Sequence, residues 1–224
     1  IMKAMILAAG FGKRLLPLTK DIPKPLLMVG NQSLIQRNIN FLIQNGFSDI
    51  VINISHLGEL IEDHVRNNFP KDNISFSYEN RPLGTGGGIL NALKILGSET
   101  FLVINSDIYH DIDIQNLPKS TDAAHLIGVK NPSHNEHGDF SLTKNTVTLK
   151  EHTNDLTWSG ISLINPIIFE ENIFNDEIFN IWDSVLPKYI EKGMVTGQES
   201  YESWIDVGTL DRLKLANTVH NEEN

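Results

Sequence analysis

The strongest constraint on the fold of this chain is an alternation in its first half, where short apolar runs are separated by stretches whose apolar residues recur at helical spacing. Ala4-Met5-Ile6-Leu7-Ala8-Ala9 reads as a first strand. Ser33 stands where it can cap a helix carrying Leu34, Ile35, Ile39, Leu42 and Ile43, and Gly46 stands where a left-handed C-terminal cap belongs. Ile50 to Ile54 follows as a second strand. A second helix runs through Leu60, Ile61, His64 and Val65, and Ile74-Ser75-Phe76-Ser77-Tyr78 alternates as a half-buried strand. Beyond Gly84-Thr85-Gly86-Gly87-Gly88, a helix with Ile89, Leu90, Leu93 and Leu96 leads to Phe101-Leu102-Val103-Ile104, a continuous apolar run of the kind covered on both faces. This pattern predicts βαβ units around a mainly parallel sheet.

The second half changes character. Strands near 123–129, 146–149 and 160–164 are separated by polar loops, which predicts a smaller added β portion, mixed or antiparallel. Helices are expected near 180–192, where Pro187 forces a kink or a break, and near 209–219. No internal repeat, low-complexity tract or linker interrupts the 224 residues, of which 40% are hydrophobic, enough for a sizeable core. The expectation is therefore one α/β domain over 1–224: a Rossmann-like mixed, mainly parallel sheet flanked by helices, with the smaller added β portion.

A formal charge of -10 without a basic cluster argues against a sequence-independent grip on nucleic acid. The absence of cysteine excludes a disulfide framework and a thiolate metal site, and it fits a reducing compartment. No stretch reaches the ~18 apolar residues of a membrane span. The expected location is cytoplasmic, without a membrane partner, as a monomer or small homo-oligomer.

Chemistry concentrates first in Gly10-Phe11-Gly12-Lys13-Arg14-Leu15 and its continuation to Pro23-Lys24-Pro25-Leu26. Two glycines after a buried strand let amide N–H groups approach an anion, and Arg14 and Lys24 add charge. The dinucleotide fingerprint fails at Leu15 and the P-loop spacing fails at Leu7. From the glycines alone a tight turn and a phosphate loop both remain open. Pro17, Pro23 and Pro25 favour the latter by stiffening an extended segment that holds Lys24 in place. Asp107 follows the strand at 101–104, and Asp206 lies in Trp204-Ile205-Asp206-Val207-Gly208, again at a strand end. Two carboxylates with substrate phosphates are a usual magnesium arrangement, although an Asp at a strand end also serves as a turn or helix cap. His134 and His137 have the look of a metal pair, but in a polar loop without a third ligand they read as solvated, as do Asp111 and Asp113.

The string G-x-G-x-R-L-x-P-L-T-x-x-x-P-K-P-L resembles the signature of the sugar-1-phosphate nucleotidyltransferases. With Ile50 to Asn53, Ile61 to His64, Gly86 to Ile89, Gly138-Asp139-Phe140 and Trp204 to Thr209, the chain most resembles their short uridylyltransferase branch, which acts on N-acetylmuramate 1-phosphate in peptidoglycan recycling. The resemblance implies transfer of a nucleotidyl group from UTP to a sugar 1-phosphate with Mg2+, giving a UDP-sugar and pyrophosphate. It leaves two alternatives: a guanylyltransferase for mannose or heptose 1-phosphate, and a regulatory module that binds nucleotide sugars without turnover.

The same resemblance implies a nucleotide-binding part at about 1–110, a sugar-binding part at about 111–224, and site roles within them. Arg14, Lys24, Asp107 and Asp206 would be catalytic, the two aspartates as metal ligands. Leu7, Ala8 and Ala9, then Gly10, Phe11, Gly12 and Lys13, would hold the nucleotide together with Glu79 at the base edge and Gly84 and Thr85 in a nucleobase loop. Asn105, Gly138, Asp139, Glu151, Trp158 and Gly160 would meet the sugar. Three positions depart from the family pattern: Lys13, Ser106 before the metal aspartate, and His152 where many longer relatives place a lysine. The grip on the sugar phosphate is then left to the metal or to His152.

Overall fold

The computed structural model describes residues 2–170 and 177–223. In chain order come β1 (Ala4–Leu7), short 3-10 turns at Lys13–Leu15 and Lys24–Leu26, β2 (Met28–Val29), β3 (Gln32–Ser33), α1 (Leu34–Gln44), β4 (Asp49–Ile54), α2 (Gly58–Asn68) and β5 (Asn73–Tyr78). They are followed by α3 (Gly84–Leu96), β6 (Phe101–Asn105), β7 (Ile108–His110), β8 (Ala124–Lys130), β9 (Ser141–Thr143), β10 (Thr146–Thr148) and β11 (Leu156–Ile164). The remaining elements are α4 (Ile167–Glu170), α5 (Ile181–Ser184), α6 (Leu186–Glu191), β12 (Val195–Ser200), β13 (Trp204–Asp206) and α7 (Leu210–Glu223).

Nine strands form one sheet in the order β5-β4-β1-β6-β11-β8-β12-β10-β9. The first four are mutually parallel, β11 runs against both β6 and β8, and β12 is parallel to β8. This is the mainly parallel α/β architecture with an added mixed portion. From β1 the chain winds outward to β4 and β5, then returns to lay β6 on the other side of β1. Such a reversal opens a crevice at the carboxyl ends of β1 and β6, where open α/β sheets place ligands. Because β8 and β12 also run parallel to β6, the loops that follow them emerge at the same edge.

Side-chain alternation explains why these strands read as unbroken apolar runs. Met5, Val51 and Val103 lie side by side on one face, over Ile89 and Ala92 of α3 and over α5 and α6. Ala4, Ile6, Ile50, Ile52 and Ile104 point to the other face, against Ile35, Ile39 and Leu42 of α1 and Ile61 and Val65 of α2. At the start of α1 the Ser33 side chain accepts from Gln36 N, while Gln36 Oε1 accepts from Ser33 N at 2.9 Å. A reciprocal box of this kind contributes about 1 kcal/mol.

Several expected boundaries move for identifiable reasons. β1 stops at Leu7, because Ala8 N turns to the Asn53 side chain instead of continuing the ladder. The glycine run 84–88 is not a loop but the opening of α3. The stretch 180–192 breaks at Val185 into α5 and α6, with Pro187 in the first turn of α6, a position that needs no N–H donor. β11 begins at Leu156 rather than 160, since a register shift between Trp158 and Ser162 lets the strand continue across Gly160. The proline-rich segment is only partly extended: Pro23 lies at φ -64°, ψ 142°, whereas Pro25 sits inside the helical turn Lys24–Leu26, compatible with the fixed φ of proline. Among the described residues no helix is long and apolar enough to cross a membrane.

Candidate active site

A cavity of about 360 Å³ occupies the crevice between β1 and β6. The opening loop forms one wall. Gly12 sits at φ 64°, and a Cβ there would lie 3.1 Å from Thr19 Cγ2 and 3.2 Å from Lys24 Cβ, so a side chain would push the two ends of the loop apart. Thr19 Oγ1 donates to Gly12 O at 2.8 Å and closes the same turn. Among the described residues no protein acceptor takes a hydrogen bond from the amide N–H groups of Gly10, Phe11, Gly12, Lys13 or Arg14. Consecutive unpaired donors on a tight turn make a nest for anions. Lys13 and Arg14 line the same cavity, and neither forms an ion pair among the described residues.

Opposite this wall lie two carboxylates. Asp107 follows β6 and accepts an ion pair from Lys24, whose 3-10 turn is fixed by Pro23 at its cap and by buried Pro25. Asp206 ends β13, which pairs with β7 so that Asp206 faces Ile108, and Val207 N donates to Asp107 O at 2.7 Å. Trp204 Nε1 anchors that strand to Ser159 O at 2.8 Å. Arg212 of α7 donates from Nη2 to Asp206 Oδ2 at 3.1 Å. Its Nε lies 2.9 Å from Oδ1 but is not aimed at it. Asp206 Oδ1 is therefore a buried oxygen that accepts no hydrogen bond, with His134 Nε2 3.0 Å away as a charge contact. Burial holds the Asp206 carboxyl above the ordinary carboxylate range, and the Asp107 charge pushes the same way against Arg212 and His134. A carboxylate oxygen that accepts no hydrogen bond, beside a second carboxylate, fits a divalent cation. Among the described residues no cluster of three or more His, Cys, Asp or Glu side chains could hold a metal ion.

Behind the cavity a buried polar relay joins three strand ends. Asn53 Oδ1 accepts from Ala8 N at 2.8 Å, Asn53 Nδ2 donates to Glu79 Oε1 at 2.7 Å, and Glu79 Oε2 accepts from Leu83 N at 2.9 Å. Burial raises the Glu79 carboxyl above its usual range, and the donors Asn53 and Leu83 oppose the shift. Asn105 is placed by an absence. Gly160 sits at φ 85°, and a Cβ there would come within 2.6 Å of Asn105 Nδ2.

The nucleotidyl transferase family model matches residues 3–138, more than half of the chain. The chain belongs to this family. It is 40% identical to an N-acetylmuramate alpha-1-phosphate uridylyltransferase of Neisseria meningitidis, across 97% of this chain and 98% of that one. It is 27% identical to a D-glycero-alpha-D-manno-heptose 1-phosphate guanylyltransferase of Campylobacter jejuni, across 78% of this chain and 79% of that one. Among solved structures it superposes on HddC from Yersinia pseudotuberculosis complexed with GMP-PN with a TM-score of 0.79 and 26% identity, covering 98% of this chain and 100% of that one.

In this nucleotidyl transferase Leu7, Ala8, Ala9, Gly10, Gly12, Lys13, Arg14 and Lys24 meet at the cavity with Gly84, Thr85, Asn105 and Asp107. Asp206 stands beside Asp107 through the strand contacts above. The other expected site residues lie elsewhere. Phe11 is exposed, 5.5 Å from the His56 ring. Glu79 is buried and absent from the cavity lining, with one oxygen accepting from Asn53 and the other from Leu83. The glycine run does not lie open for a base: Gly86 N and Gly87 N donate to Phe179 O at 3.0 and 3.2 Å, and the segment around Phe179 covers them.

In the sugar set, Trp158 packs at 5.6 Å on Trp182, on the α5 face of the sheet. Asp139 accepts from Asn135 Nδ2 at 3.0 Å and from Trp158 N at 2.8 Å. Gly138, at φ 61°, turns the same loop. Glu151 and His152 are exposed between β10 and β11, away from the cavity lining. Sequence reasoning missed Asn53, Asn180 and Arg212, and it left His134 in solvent. Arg212 had a readable signal, a basic residue one helical turn beyond the Asp206 strand. Asn180 and His134 arrive through loops whose paths no local pattern specifies.

Proposed function

We propose that this nucleotidyl transferase moves the uridylyl group of UTP onto N-acetylmuramate 1-phosphate, releasing pyrophosphate and giving a UDP-sugar for peptidoglycan recycling. The observation that carries the substrate choice is the 40% identity to the Neisseria uridylyltransferase along almost the full length of both chains. The geometry supports the reaction type. An ionised oxygen of the sugar phosphate attacks the α-phosphorus of the triphosphate. The new P–O bond forms as the bond to the β-phosphate bridging oxygen breaks, and pyrophosphate leaves. No general base is needed, because the attacking oxygen carries no proton, so the protein's task is positioning and charge neutralisation.

The unpaired amides of the opening loop and Arg14 hold the departing phosphates, and Lys24 neutralises the reacting ones. Leu7, Ala8, Ala9, Gly84 and Thr85 seat the nucleoside, and Asn105 meets the sugar side. Asp107 and Asp206 hold Mg2+, which supplies charge stabilisation to the phosphates when bound. We take 1–224 as one catalytic unit working in the cytoplasm.

Pyrophosphate release tests this reading when UTP, GTP, TTP and CTP are crossed with N-acetylmuramate, mannose, heptose and glucose 1-phosphates in Mg2+. The expected best pair is UTP with N-acetylmuramate 1-phosphate. Preference for GTP would select the guanylyltransferase alternative, and binding without release from any pair would select the regulatory one.

A further inference from the structure

The loop after β8 reaches the carboxylate pair from the side opposite the opening loop. β1, β6 and β8 run parallel, with β6 between the other two. Their following loops therefore stand along one edge in the order opening loop, Asp107, His134. The loop that bears His134 is built, not slack. Asn131 Nδ2 donates to Asn154 O at 2.8 Å and Thr157 Oγ1 donates to Asn131 Oδ1 at 3.0 Å. Asn135 N donates to Pro132 O at 2.9 Å, and the Asn135 side chain is held by Asp139 and Thr157. These bonds pin both flanks of His134 while its ring lies half-buried over Asp206, Nε2 at 3.0 Å from Oδ1. His137, three positions on, points instead toward Thr153, so the two histidines do not converge.

We infer that His134 binds the phosphate of the sugar 1-phosphate, donating from Nε2 to a nonbridging oxygen, and that it competes with the divalent cation for Asp206 Oδ1. This inference rests on the proposed transfer reaction. A cation that takes Oδ1 as a ligand occupies the approach that Nε2 now uses, and a small hard cation there carries substrate phosphate oxygens in its shell. The displaced imidazole, held by a braced loop, then faces those oxygens. Arg212 reaches the same carboxylate from α7, with Nη2 donating to Oδ2 at 3.1 Å and Nε 2.9 Å from Oδ1. Topology assigns the phosphate: the triphosphate meets the amides after β1, which leaves the β8 side of the carboxylates to the second substrate.

The test compares the wild-type protein with His134→Ala and His134→Gln by two readouts: Mn2+ affinity without nucleotide, followed by electron paramagnetic resonance, and the separate KM values for UTP and N-acetylmuramate 1-phosphate. In His134→Ala, Mn2+ binding tightens several-fold while KM for the sugar phosphate rises about 10- to 100-fold, the loss of one hydrogen bond to a charged group, and KM for UTP stays within about twofold. His134→Gln, which keeps a donor, recovers most of the sugar-phosphate affinity. Weaker Mn2+ binding in the alanine variant would make His134 a metal ligand, and an equal rise in both KM values would make it a structural residue. Unchanged Mn2+ affinity overturns the competition by itself. A wild-type protein that turns over no sugar phosphate defeats the proposed function instead, and the two failures are separately visible.

Discussion

Lys24 Nζ and Asp107 Oδ2, 83 positions apart in the sequence, form an ion pair that ties the proline-braced turn to the carboxyl end of β6. The pair makes the opening loop and the carboxylates one electrostatic unit: the ammonium that balances Asp107 also lines the cavity. Lys24→Ala is expected to lower kcat about 100- to 1,000-fold, the cost of removing one donor to developing charge. Asp107→Asn is expected to nearly abolish turnover in Mg2+. Both variants should melt close to the wild type in thermal denaturation, since a partly exposed ion pair contributes little to stability. Full activity in either variant would remove that residue from the reacting phosphates.

Glu79 is held by Asn53 and Leu83, one hydrogen bond to each carboxylate oxygen, which makes it a brace for the wall as well as the residue expected at the base edge. Glu79→Ala leaves the buried Asn53 Nδ2 and the half-buried Leu83 N without an acceptor and is expected to cost about 1–3 kcal/mol in urea denaturation. Glu79→Gln should lower kcat/KM for every nucleoside triphosphate by a similar factor, leaving the UTP-to-GTP preference as it was. A selective change in that preference would restore Glu79 to the base edge.

Gly160→Ala forces a Cβ into a left-handed backbone and toward Asn105 Nδ2, 2.6 Å from the ideal position. The expected result is about 1–3 kcal/mol of lost stability, with KM for the sugar phosphate raised more than KM for UTP. Equal effects on both substrates would mean that Asn105 does not face the sugar side.

His110 controls part of the acid stability. Its ring packs edge-on to Phe41 at 4.6 Å and accepts from Ile112 N at Nδ1, and burial holds its pKa down to about 4, against 6.5 in the unfolded chain. Between these values the unfolded chain binds the proton that the folded ring refuses, so stability is fully present above about pH 6.5 and falls as the pH drops toward 4. Allowing for the part of the residue that keeps exposed surface, the loss should be about 2 kcal/mol. His64 and His125, also lowered by burial, act in the same direction. Urea titrations at pH 7 and pH 5 of wild type and His110→Phe should show a shallower pH dependence in the variant; equal slopes would remove His110 from the effect.

The parallel half of the sheet was legible because burial on both faces leaves Phe101 to Ile104 and Ile50 to Ile54 with little choice but apolar residues, and because caps such as Ser33 act locally. The opening loop was legible as a chemical unit, although its proline segment coils partly into turns. The wall behind it was less so. Nothing near Glu79 in sequence shows that its carboxylate is already taken, since Asn53 lies 26 positions away on another strand. The second half was hardest for the same reason: Asp139, Trp158 and His134 acquire their roles from pairings across loops, and a residue pattern does not say which polar groups will find each other.

Transfer of a uridylyl group to N-acetylmuramate 1-phosphate is tested most directly by mass-spectrometric detection of the nucleotide sugar formed from UTP, that sugar phosphate and Mg2+, alongside released pyrophosphate. UDP-N-acetylmuramate and pyrophosphate are expected in equal amounts, with neither formed when Mg2+ is chelated. Absence of the nucleotide sugar from the wild-type protein, with UTP and sugar phosphate both recovered intact, would contradict the transfer.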